Sequence, residues 1–98
     1  DTVDMRVDLG FETTVDTRFR LVGHGARYFE AAEVRGEERD RGRGASRLFA
    51  SLIPEGARVR FAVYARHIKG KYGRWLCHIL WPHDVADAIV VAGLGEYR

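Results

Sequence analysis

Thr2-Val3-Asp4-Met5-Arg6-Val7-Asp8-Leu9 and, after Gly10, Thr13-Thr14-Val15-Asp16-Thr17-Arg18-Phe19-Arg20-Leu21 decide how this chain folds. In the first stretch Val3, Met5, Val7 and Leu9 point one way, and Thr2, Asp4, Arg6 and Asp8 the other. A period of two marks a strand with one wet and one buried face. Thr13, Val15, Thr17, Phe19 and Leu21 continue the alternation, so a hairpin over residues 2–22 is predicted. Gly23-His24-Gly25 ends it and begins a loop.

Outward from the hairpin the pattern changes. Residues 33–44 are dense in charge of both signs at spacings of three and four, which suits a solvated helix face. Ala45, Leu48, Phe49, Leu52 and Ile53 follow at helical spacing and supply its buried side. Gly42 and Gly44 weaken the middle, and Pro54 and Gly56 stop it. Residues 58–66 alternate again, with Val59, Phe61 and Val63 inward. Lys69-Gly70-Lys71-Tyr72-Gly73 reads as a turn. Residues 74–81 form another strand, with Trp75, Cys77, Ile79 and Trp81 on one face. Asp84 caps a last helix over residues 85–92, and Gly93 stops it. The expected order is strand, strand, helix, strand, strand, helix. The expected class is mainly β with two to three helices (α+β), a small OB-type barrel.

The bulk numbers agree with a single domain over residues 1–98. The chain is 46% hydrophobic and 31% charged, a globular balance. No run approaches the roughly 18 apolar residues of a membrane span, so no membrane partner is expected. The lone Cys77 cannot form an internal disulfide; it is compatible with a reducing, cytoplasmic setting without requiring one. The chain starts at Asp1 rather than Met, so a processed secretory leader stays open as an alternative. Net charge is only +2, yet of 16 basic residues only Lys69 and Lys71 are lysines. Arginine suits bidentate phosphate contacts, although GC-rich codon usage yields the same bias.

Two arginines sit where chemistry is plausible. Lys71-Tyr72-Gly73-Arg74-Trp75 places two cations and an aromatic around a glycine, with Arg74 at the start of a strand. Arg20 lies on a strand between Phe19 and Leu21. Each alone is an ordinary surface arginine.

Together and in order they resemble the thermonuclease family, with its staphylococcal-nuclease-like fold. Asp1-Thr2-Val3 matches the end of the family's Asp-Gly-Asp-Thr-Val strand, and Phe19-Arg20-Leu21 its phosphate-binding arginine strand. Lys71-Tyr72-Gly73-Arg74-Trp75-Leu76 matches its Lys-Tyr-Gly-Arg turn, and residues 88–97 its last helix and following tyrosine. The resemblance implies a calcium-dependent nuclease acting on DNA or RNA, as in phage or bacterial members. It implies Arg20 and Arg74 on the phosphate, Asp1 as a metal ligand, and Lys71, Tyr72 and Tyr97 bordering the nucleotide. Calcium takes hard oxygen ligands, and fixed guanidiniums stabilise charge developing on phosphoryl oxygens.

The remaining acids depend on register. Counting straight on from Arg20 puts the family's Gly-Ile-Asp-Ala-Pro-Glu run on Gly23-His24-Gly25-Ala26-Arg27-Tyr28, and both acids vanish. Anchoring on Glu33-Val34-Arg35-Gly36-Glu37-Glu38-Arg39 puts the run on Tyr28-Phe29-Glu30-Ala31-Ala32-Glu33. Glu30 then replaces the metal aspartate, Glu33 is the water-activating base, and about five residues of loop are inserted, which loops tolerate. The second register is favoured because its downstream match is long. The family's first strand would lie before Asp1, so the barrel is expected to be open unless the native protein holds those residues or strand addition or a homo-oligomer supplies one. A nucleic-acid-binding module without turnover and an assembly adaptor are the competing readings.

Other signals carry less. Cys77, His78, His83, Asp84 and Asp87 fit no paired zinc-ligand spacing. Cys77 is expected as a buried thiol, and Trp75 and Trp81 as core.

Overall fold

The computed structural model describes residues 1–64 and 75–98. The expected hairpin is β1, Thr2–Gly10, against β2, Thr13–Leu21. Its register pairs Val3 with Phe19, Met5 with Thr17 and Val7 with Val15, keeping the apolar set on one face. On the wet face Arg6 pairs with Asp16 at 3.0 Å and Arg18 with Asp4 at 2.8 Å. These guanidiniums hold both carboxyls below the usual range, yet such exposed pairs add little stability.

Next come β3, Phe29–Ala31, then α1, Arg39–Leu52, and β4, Arg60–Tyr64. β5, Trp75–Trp81, α2, Val85–Val91, and β6, Gly95–Tyr97, complete the order. The main sheet runs β1-β2-β5-β4, with β2 and β5 parallel and the other pairs antiparallel. β3 and β6 form a second, two-stranded antiparallel sheet. The class is α+β. Among the described residues the ladder does not close into a barrel: β1 and β4 are its edges.

Four expectations need correction, one of them Val63, expected inward but half exposed on β4. The helix expected from residue 33 begins only at Arg39, because Gly36 takes φ 65° and a 3-10 turn over Gly36–Glu38 intervenes. A left-handed residue cannot continue a right-handed helix. β3 and β6 were not anticipated, since three residues are too few to display a period. Trp75 and Trp81 are 45% and 55% exposed rather than core. Only the middle of β5 is covered, where Cys77 and Ile79 are buried. Its other face is covered too: His78 is 3% exposed, beside His24 and bonded to Asp84 at 2.8 Å.

The core gathers Phe19, Leu21, Phe29, Cys77 and Ile79 with Ala45 of α1 and Val85, Ala86 and Ile89 of α2. Phe29 is wholly buried, and burying such a side chain contributes about 1.5–3 kcal/mol. Asp84 caps α2 as expected, its carboxylate accepting from Asp87 N–H at 3.2 Å. No helix is long and apolar enough to cross a membrane, among the described residues.

Candidate functional site

The β1–β2 register sets Thr2 opposite Arg20, so Asp1 enters the sheet beside that arginine. Leu21 N–H donates to the Asp1 carbonyl at 2.7 Å and fixes the chain there. Phe19 and Leu21 face the core, so Arg20, between them, projects from the opposite side of β2. Its Nη2 donates to the Phe29 carbonyl at 3.2 Å and lies 3.8 Å from Asp1 Oδ2. The Tyr28 ring sits 4.7 Å from the guanidinium carbon. Arg20 Nε is buried with no acceptor among the described residues, an orphaned donor on an otherwise held guanidinium.

Asp1 Oδ1 accepts from Ala31 N–H at 2.8 Å. That bond ties the start of the chain to β3, the strand that carries Glu30. Asp1, Glu33, Arg35 and Ser46 line one cavity of about 420 Å³. Its floor is apolar, with Leu21, Phe29, Ala45, Phe49 and Ile89. Glu33 is half exposed, with Arg35 Nε 3.4 Å from its carboxylate. Its N–H donates to Glu38 Oε2 at 3.1 Å, and its carbonyl lies against Gly42 of α1.

Glu30 does not join this cavity wall. Arg98 Nη2 stands 2.7 Å from its Oε2, an ion pair rather than an aligned hydrogen bond, and also reaches Glu96 at 3.2 Å. The cross-strand pair Glu30–Glu96 places two like charges opposite each other, and Arg98 sits between them. No family model, curated protein or solved structure matches the chain.

A calcium ion would find oxygen donors of the right kind in Asp1, Glu30 and Glu33. Among the described residues no three acids, histidines or cysteines converge to hold a metal ion, and Glu30 is taken up by Arg98.

Asp1 and Glu33 thus share the cavity wall, Arg20 meets Asp1 from the other side of β2 without lining the cavity, and Glu30 pairs with Arg98. Arg74, Lys71 and Tyr72 lie outside the described residues. Tyr97 does not line the cavity. Its hydroxyl donates to Asp87 Oδ1 at 3.4 Å, Arg27 stacks on its ring at 4.6 Å, and a Cβ on Gly23 would meet Tyr97 Cζ at 3.1 Å. Burial, reinforced by Asp84 and Asp87, pushes its phenol up to about 12. Tyr28 and Arg98 were not singled out in the sequence. Tyr28 could have been found as the aromatic just before the acid run; Arg98 carried no signal.

Proposed function

We propose that this chain binds and hydrolyses a nucleic-acid phosphodiester, as the thermonuclease family it resembles does. The observation that carries the proposal is the Asp1 carboxylate. It sits between Ala31 N–H and Arg20, and on the wall of the cavity that also takes Glu33. That neighbourhood favours the register in which Glu30 and Glu33 follow the arginine strand. The main sheet suits four strands of a partly open OB-type barrel.

The chemistry assigns each residue a part. Arg20 binds a nonbridging phosphoryl oxygen, and its orphaned Nε–H gains the acceptor it lacks. Arg74 joins it on the strength of its place in the sequence. Glu33, open to solvent at the cavity, takes the proton of the attacking water. Water oxygen bonds to phosphorus as the ester oxygen leaves. Arg20 and Arg74 offset the charge that accumulates on the phosphoryl oxygens. Lys71, Tyr72 and Tyr97 remain proposed contacts to the nucleotide. A calcium ion held by Asp1 and Glu30, as the resemblance implies, would add Lewis-acid stabilisation of the phosphoryl charge.

The test is cleavage of DNA and RNA by the purified protein with calcium, magnesium, manganese or chelator. Cleavage that disappears in Glu33→Gln and Arg74→Ala supports the proposal. A protein that degrades nothing under any of these conditions sinks it.

The Glu30–Arg98 ion pair favours a second reading. With that acid engaged, the same site would hold a nucleic-acid backbone, or dock a partner strand at β1 or β4, without turnover. Binding that persists in chelator, with no cleavage, distinguishes it.

A further inference from the structure

Among the described residues seven of the twelve arginine side chains have partners. Arg6, Arg18, Arg35 and Arg98 are ion-paired with carboxylates. Arg20 and Arg27 stack on tyrosines, and Arg41 bonds the Gly93 carbonyl at 2.9 Å. Among the described residues five arginine side chains have no hydrogen bond, ion pair or ring contact: Arg39, Arg43, Arg47, Arg58 and Arg60. Three of the five recur every fourth residue along α1, and all three are exposed.

Residues four apart lie one above the other on a helix, about 6 Å of rise per step at 1.5 Å per residue. Arg39, Arg43 and Arg47 therefore form a single stripe roughly 12 Å long. Gly42 and Ser46, which line the cavity, each precede a stripe arginine by one residue. The stripe thus runs along one side of the cavity, about 100° round the helix from its lining.

Folding gains nothing from this arrangement. Like charges four apart repel. Arg39 stands in the first turn, where the helix dipole disfavours a cation. Asp40 is three residues before Arg43, yet makes no ion pair with it among the described residues. The exposed pairs on the β1–β2 hairpin show that this chain places carboxylates opposite arginines elsewhere. Three guanidiniums in line suit the row of negative charges that a nucleic-acid backbone presents.

We propose that Arg39, Arg43 and Arg47 form a phosphate-tracking rail on α1, which holds the backbone of a nucleic-acid strand flanking the cavity at Asp1, Glu33 and Arg35. The inference rests on the nucleic-acid reading above. It adds that the partner is a strand several nucleotides long rather than a single nucleotide.

The experiment measures binding alone, in chelator, so it reads the rail whether or not the protein cleaves. A fluorescent single-stranded DNA of about twenty nucleotides is titrated by anisotropy across a salt series. The variants are the triple Arg39→Gln, Arg43→Gln, Arg47→Gln, and a control double, Arg6→Gln with Arg18→Gln. Helical circular dichroism and melting confirm that both fold. Losing three contacts at roughly 0.7 each lowers the slope of log K against log salt by about 2. At low salt the Kd then rises at least about tenfold, an expectation from lost counterion release. The control double keeps the wild-type slope. A slope unchanged in the triple variant overturns the proposal. So does loss of binding to anionic vesicles with DNA binding intact, which would make the stripe a membrane contact. A lowered slope in a protein that cleaves nothing upholds the rail while the hydrolysis reading falls.

Discussion

The backbone of Glu33 rests directly on Gly42 of α1. A Cβ at residue 42 would collide with the Glu33 carbonyl and stand 2.6 Å from Val34 N. A helix-interior glycine costs about 0.5–1 kcal/mol relative to alanine, so the contact explains a residue that propensity alone disfavours. The proposed base is held where it is by the absence of a side chain nine residues further on.

Gly42→Ala is therefore expected to destabilise by about 1–3 kcal/mol, the usual cost of overpacking, despite the better helix former. Gly44→Ala is the control. Its Cβ would meet only the Leu94 side chain, nearest at the terminal Cδ2, 3.2 Å away. It should be neutral or stabilise by up to about 1 kcal/mol. Urea unfolding of the two variants decides the matter. A Gly42→Ala protein as stable as Gly44→Ala would show that the contact is not close.

Glu33→Gln should lower the cleavage rate by about a hundredfold to ten-thousandfold, the range for a lost general base. Stability should change by no more than about 0.5 kcal/mol, because the side chain is half exposed. Rates on a defined oligonucleotide and thermal melts of the same preparations give both numbers. Full activity in this variant would remove Glu33 from the proposed role.

Alkaline stability should carry two signatures. Burial pushes the Cys77 thiol from 9.0 up to about 12, and burial and nearby aspartates push the Tyr97 phenol from 10.0 up to about 12. Both groups are neutral in the fold and ionise more easily once it opens. Their stability is whole below pH 9 and is lost as pH rises from about 9 towards 12. Melting temperatures across that window should fall, and Tyr97→Phe should flatten the part above pH 10. A Tyr97→Phe profile that superimposes on the wild type counts against the buried phenol. At pH 8 the Cys77 thiol should resist alkylation until denaturant is added.

Phe29→Ala should cost about 3–5 kcal/mol, a large share of the stability of a domain this size. Trp81→Ala should cost far less, about 1 kcal/mol, because over half of its surface is already exposed. Equal losses would mean that Trp81 is core after all.

The hairpin, the cap at Asp84 and the body of α1 were legible as sequence because period and capping are local. Arg20 between Phe19 and Leu21 was legible for the same reason. Glu30 was not. Its fate depends on Arg98, sixty-eight residues later, through a pairing of β3 with β6 that no three-residue pattern announces. His78 entered the sequence reading only in a zinc pattern that did not fit, and its burial and bond to Asp84 came from the packing.

By itself the sequence determined the α+β class, the main strands and helices, and the candidate residues Asp1, Arg20, Glu33 and Arg74. Alternation, helical spacing and residue chemistry are carried within a few positions of the chain. Tertiary structure alone decided which candidates meet. Asp1 reaches Ala31, Glu33 settles on Gly42, and Glu30 is drawn to Arg98. Those contacts join residues from nine to sixty-eight positions apart, where packing and charge pairing, not local propensity, set the geometry.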